Sequence, residues 1–118
     1  MKSLDAYLEQ VTDKNPENVI DALQHLALFS EVRAVTAIQS AFFHPAPQVR
    51  VTAAAAAGEN QDEALLDALL SLLDDHDPQV RLAAVNAAGK FAQKGHTNQV
   101  VTTFLERQPE PQTAEAVK

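Results

Sequence analysis

Two stretches of this chain are copies of one another. Pro78-Gln79-Val80-Arg81-Leu82-Ala83-Ala84-Val85-Asn86-Ala87-Ala88-Gly89 repeats Pro47-Gln48-Val49-Arg50-Val51-Thr52-Ala53-Ala54-Ala55-Ala56-Ala57-Gly58, and the proline, the arginine and the glycine each recur after 31 positions. Three residue types agreeing on one offset identify a repeat of the length that builds solenoids, where each unit buries its apolar face only against its neighbours. No other feature restricts the fold as much, because every unit must carry a face for the unit before it and a face for the unit after it.

The offset extends outward. Pro16, Pro47, Pro78 and Pro109 lie on it, as do Leu4, Val35 and Leu66, then Tyr7, Ile38, Leu69 and Val100, then Val11, Phe42, Leu73 and Phe104. Apolar residues three and four apart predict helices over about 3–12, 31–43, 62–73, 78–91 and 97–106, with one more from Pro16 to the Phe29-Ser30-Glu31 stop. A further helix over about 47–57 is nearly pure alanine, and Gly58 reads as the left-handed residue that ends it. Ser3 and Asp77 are N-cap residues, and the prolines suit first helical turns, where a missing N–H costs nothing. A leucine-type helix thus alternates with a proline-initiated alanine-type helix, giving about three pairs plus a leading helix in a domain of residues 1–108. Residues 109–118 form a degraded fourth alanine-type segment, a C-terminal cap or a frayed tail.

Hydrophobic residues make up 46% of the chain but aromatics only 5%, which suits closely packed helices better than sheets, so the class is all-α. There is no cysteine, which removes disulfides and thiolate chemistry. A formal charge of −7 opposes binding to a phosphate backbone or an anionic membrane surface. Neither a signal-type apolar run at the N-terminus nor a membrane-length apolar run stands in the sequence, so the expectation is a cytoplasmic protein, with no nucleic acid or membrane partner.

A leucine-rich helix, an acidic turn, and then Asp-Pro-x-Val-Arg-x-x-Ala-x-x-Ala-x-Gly from Asp77 to Gly89 resemble the HEAT-like repeat family, particularly its short phycobilisome-lyase type. The likeness is strongest over 62–91, good over 31–58, and weaker over 3–28 and after 96. It implies antiparallel helix hairpins stacked into a right-handed α-α superhelix whose usual work is holding other proteins. Some members handle chromophores or metals and a few act on nucleic acid, so the fold alone does not choose a function.

The resemblance also gives Arg50 and Arg81 a structural reading. The residue six positions before each arginine lies in the turn between helices, a register that holds Asp13, His44, Asp75 and Glu106. Within its own repeat Arg50 would face His44, a poor partner; reaching forward, Arg50 meets Asp75 and Arg81 meets Glu106. That forward ladder is the expectation, set against binding of a carboxylate or phosphate by the guanidinium forks.

Catalytic and metal chemistry find little support. His25, His44, His76 and His96 stand in no zinc-helix motif, and Val51-Thr52 and Leu82-Ala83 occupy the places where the family's di-iron hydroxylases carry His-Glu pairs. No serine sits in a strained glycine-flanked turn, and three glycines do not make a phosphate loop. The expectation is no catalytic residue, no metal and no cofactor. Seven carboxylates and no Lys or Arg lie between Glu59 and Asp77; helix N-termini account for several, and Asp67 and Asp74 remain as candidates for a basic partner.

On the alanine-type helices, which line the concave side in this family, three rows align at the offset. Ile20, Val51 and Leu82 are expected to pack between repeats. Gln24, Ala55 and Asn86, and Leu28, Glu59 and Lys90, form the expected contact surface, with Gln24, Thr52, Glu59, Asn86 and Lys90 as its polar members. The reading is a non-catalytic scaffold or adaptor that binds another protein on the concave face, as a monomer or within a larger assembly. The alternative is a lyase-like or cofactor-maturation accessory that holds a chromophore- or metal-bearing client.

Overall fold

A computed structural model describes residues 2–96 together with Val100, Thr102 and Glu106. Among them every regular element is helical: α1 (Leu4–Gln10), α2 (Pro16–Leu26), α3 (Val32–Ala41), α4 (Pro47–Asn60), α5 (Leu66–Ser71) and α6 (Pro78–Phe91). Short 3-10 turns, Glu63–Leu65 and Leu72–Asp74, extend α5 at both ends. Successive helices form the hairpins α1/α2, α3/α4 and α5/α6, with α2, α4 and α6 stacked directly on one another and α1, α3 and α5 in a second layer. The first helix is therefore the hairpin partner of α2, not an unpaired leader. Of the helix expected over 97–106 only Val100, Thr102 and Glu106 are described, and the expected cap at 109–118 lies outside the described residues.

The sequence explains the elements locally. Ser3, Asn15, Asp62 and Asp77 sit at N-caps and accept the amide hydrogens of Ala6, Glu17, Ala64 and Gln79, while Pro16, Pro47 and Pro78 open their helices. The leucine-type helices send Tyr7, Ile38, Phe42, Leu65, Leu66 and Leu69 inward, where they meet Leu23, Leu26, Val49, Val80 and Phe91 of the other layer in one continuous core. At the N-terminal end Tyr7 stacks on His25 with ring centres 4.5 Å apart. Gln10 there donates to Asn18 O at 2.9 Å and Asp21 Oδ2 at 2.7 Å, tying α1 to α2.

Gly58 departs from the expectation. The helix runs through it to Asn60, and the residue in the left-handed region is Gln61, at φ 64°. Gly58 is needed for proximity instead: a Cβ built on it would lie 3.0 Å from the Ala87 Cβ and 3.1 Å from the Ala87 Cα. Glycine here lets α4 and α6 touch backbone to side chain, a use of the residue that sequence position alone does not separate from helix termination. Its repeat equivalent Gly89 has nothing among the described residues within 4 Å of the same added atom.

The turn register carries a shared polar device. Asp13 Oδ1 accepts the Asn15 N–H at 2.7 Å, His44 Nδ1 accepts the Ala46 N–H at 3.0 Å, and Asp75 Oδ1 accepts the Asp77 N–H at 2.9 Å. A neutral imidazole nitrogen can do what a carboxylate oxygen does, so a histidine fits where the family pattern has an acid. Charge is required only where an arginine precedes it by one repeat. Val19, fully apolar and buried, stands one repeat before Arg50 and asks nothing of His44; Arg50 asks for Asp75.

Arg50 and Asp75 form that rung, with Nε to Oδ2 at 2.9 Å and Nη2 to Oδ1 at 3.2 Å, and each side chain is only 8% exposed. Arg50 Nη1 also donates to His44 O at 2.7 Å and Pro45 O at 3.2 Å, so the buried guanidinium spends its donors on two turns at once. The second rung differs from the expectation. Arg81 is exposed and donates to Asp75 O at 2.9 Å, and among the described residues no ion pair joins it to Glu106. What both arginines share is the carbonyl six residues back.

Two predictions test this packing. Gly89→Ala is expected to raise stability by about 0.5–1 kcal/mol through helix propensity alone, whereas Gly58→Ala should forfeit that gain against Ala87 and lower the melting temperature. Thermal unfolding of both variants measures the contrast; equal shifts would remove the close-approach role. For Asp75, burial pushes the carboxyl pKa up, but the Asp77 amide, the Arg50 hydrogen bond and charge, and the neighbouring His76 outweigh it and hold it below its ordinary value. A depressed folded-state pKa stabilises fully above the unfolded value of about 4, and that contribution is lost as pH falls through the folded value. Asp75→Asn is therefore expected to cost about 2 kcal/mol at neutral pH and to flatten the acid limb of the stability profile below about pH 4. An acid limb identical to that of the parent would show that another carboxylate governs it.

Candidate interaction surface

The exposed side of the α2, α4 and α6 layer is furrowed on both flanks of α4. Side chains there alternate between alanine and short polar groups, so the helices approach closely and leave shallow hollows where longer residues stand apart. Between α2 and α4 lies a hollow of about 340 Å³, walled by Gln24, Leu28, Thr52 and Glu59 and floored by Ala27 and Ala56. Between α4 and α6 lies one of about 260 Å³, bounded by Gly58, Ala83, Ala87, Asn86 and Lys90. Val51 and Ala55 belong to both and form the low ridge that divides them.

Gln24, Thr52 and Glu59 therefore line the first hollow, and Asn86 and Lys90 the second. Lys90 Nζ reaches back over α4 to Glu59 Oε1 at 3.6 Å, a half-exposed pair that ties the two rows together and contributes little to stability. Two residues of the expected site are elsewhere. Asp67 on α5 and Asp74 in the turn after it belong to the other layer, because α5 turns Leu65, Leu66, Leu69 and Leu70 towards the core and its carboxylates the other way. They do not join the surface on α2, α4 and α6.

Of the row Ile20, Val51 and Leu82 expected to pack between repeats, Leu82 is the member that departs. Ile20 and Val51 are only half-buried and line hollows, and Leu82 is 54% exposed. The close contact between α4 and α6 lies at Ala87 and at Gly58, two turns along the same face of α4 from Val51. Leu28, 65% exposed at the rim of the first hollow, is the apolar member of the surface that the choice of polar contact residues left out. The register of 31 contains the signal for it, in the alignment with Glu59 and Lys90. Asn60 was likewise not legible: its Nδ2 donates to Phe29 O at 2.7 Å and Ala27 O at 3.2 Å, fastening the end of α4 to the end of α2.

The titratable groups that cluster have structural work. Arg50 and Asp75 neutralise each other in the turn layer, His44 caps its turn, and His25 stacks on Tyr7 and meets Asp21 O through Nδ1 at 2.9 Å. Among the described residues no three His, Asp or Glu side chains converge as a metal site would require. No helix among them is long and apolar enough to cross a membrane.

The profile of the family described as HEAT repeats matches residues 4–89 and again 36–117, two matches staggered by about one repeat. No curated protein matches the chain. With an all-helical stack of hairpins, a repeat offset that recurs in the packing, and a family profile covering nearly its whole length, this chain belongs to the HEAT-repeat family.

Proposed function

We propose that this chain is a non-catalytic protein-binding module, a scaffold or adaptor that holds a partner protein along the exposed surface of α2, α4 and α6, its concave face. One observation supports this above others: two hollows share the Val51-Ala55 ridge and are walled by Gln24, Leu28, Thr52, Glu59, Asn86 and Lys90, a track continuous across three helices. Its floor is alanine backbone and Cβ, its walls mix hydrogen-bonding groups with one exposed leucine, and its two opposite charges already pair. Such a track suits a helix or extended segment laid across the repeats better than a compact charged ligand.

Rigidity is the physical basis of the mechanism. Alanine has no rotamers to lose and the helices are packed in contact, so the surface is formed before a partner arrives and little ordering entropy opposes binding. A charge of −7 disfavours a polyanionic partner. HEAT repeats are commonly interaction scaffolds, which agrees with this reading at the level of the family.

Ala55→Arg places a long cation on the ridge between the two hollows while its Cβ already faces solvent. Affinity capture from the source cells with the full chain should retain a partner that Ala55→Arg loses, at an unchanged melting temperature. Capture of the same proteins by both forms would remove this surface from the binding reaction.

A further inference from the structure

The first junction between repeats carries smaller side chains than the second. At the second, Phe42, Arg50 and Leu72 are all buried, and the Arg50 guanidinium is held by Asp75 and by the carbonyls of His44 and Pro45. One repeat earlier the same three positions hold Val11, Val19 and Ala41, each smaller by several heavy atoms. A hollow of about 360 Å³ lies there, with Leu8, Val11, Val19, Ala37 and Ala41 as its apolar wall. It sits between α1 and α3, in the layer away from the hollows that flank α4, and every residue of α1, α2 and α3 is described. Its size is at the lower end of the range for small-molecule sites.

The polar groups of this hollow can all donate. His44 Nδ1 accepts the Ala46 amide at 3.0 Å, so the neutral ring carries its proton on Nε2. Thr36 and Ser40 bring hydroxyls, while the Thr12 hydroxyl is engaged with Glu9 O at 2.7 Å. Arg33 brings a guanidinium, one nitrogen of which donates to the exposed Asp5 carboxylate at 2.8 Å and leaves the other donors of the fork for a second acceptor. No carboxylate is among the residues that line the hollow, in a chain whose net charge is −7. A wall of hydrocarbon with an arginine, a histidine and two hydroxyls, and without an acid, is complementary to an anion that carries an apolar group.

We infer that this hollow binds a small carboxylic acid with an aryl or alkyl body. The body would occupy the room that Phe42 and Leu72 take up one repeat later, against Leu8, Val11 and Ala41. The carboxylate would be met by Arg33 together with the donors of Thr36, Ser40 and His44. The site is separate from the surface on α2, α4 and α6 and does not depend on the protein-binding reading of that surface.

The test is a titration of the full chain with hydrocinnamate and with hexanoate, followed by amide correlation NMR, with the primary amides of both acids as neutral controls. At least one acid is expected to give saturable shifts centred on Val11, Val19 and Ala41, with a dissociation constant of about 1 mM or tighter, and its amide to bind about tenfold more weakly. Val11→Phe combined with Ala41→Leu restores the side chains of the next repeat, and should abolish binding without lowering the melting temperature. Arg33→Gln, at a side chain 65% exposed, should weaken the acid about tenfold and leave its amide unchanged. No saturable shift from either acid up to about 10 mM overturns the inference. So do amides that bind as tightly as the acids, or acids that still bind the filled variant.

Discussion

A methyl group added at Gly58 would come within 3.0 Å of the Ala87 side chain, and that proximity of α4 to α6 sets the geometry of the whole stack. Helices carrying only alanine and glycine at their contact can approach closely, and the layer of proline-initiated helices then becomes a continuous slab. The leucine-type helices pack over it and supply most of the large buried side chains, Ile38, Phe42, Leu65, Leu66 and Leu69 among them. Volume is divided between the layers, small residues where repeats meet and large ones where layers meet, so neither layer can be exchanged for the other.

Close stacking brings the turns at the helix starts close together as well, and these are where polar groups are buried. Arg50 resolves this by engaging its own turn through His44 O and Pro45 O and the next turn through Asp75. A buried ion pair contributes little to net stability and much to register, since sliding one repeat past the next would strand both charges. His44 illustrates the economy of the device. The capping hydrogen bond to the amide two residues on recurs in all three turns, whereas the negative charge is present where an arginine needs it.

The same arrangement governs what the surface can do. Because the repeat interfaces use backbone proximity and short side chains, the outer face of α2, α4 and α6 keeps shallow hollows with fixed walls instead of a deep pocket. Deep sites with converging titratable groups are the usual ground for catalysis, while shallow preformed tracks suit macromolecular contact. At α1 the contacts to α2 are polar and aromatic, the Gln10 hydrogen bonds to Asn18 and Asp21 and the Tyr7–His25 stack.

By itself the sequence determined the class, the period and the alternation of leucine-type with alanine-type helices, because these follow from the spacing of prolines, leucines and alanines and from caps such as Ser3 and Asp77; that the first helix pairs with α2 came from the structure. The forward pairing of Arg50 with Asp75 is what the resemblance to the repeat family implies, and the structure forms it. Only the tertiary structure decided how far each helix is rotated. The structure places the close repeat contact at Gly58 and Ala87, leaves Leu82 exposed, sets Leu28 at the rim of a hollow, and puts Asp67 and Asp74 in the other layer from Asn86 and Lys90. A period of 3.6 residues places several apolar or small positions within one face of a nearly all-alanine helix, and their hydrophobicities differ too little to say which meets the neighbour. Steric fit between two particular backbones chooses, and that information exists only once both helices are in place.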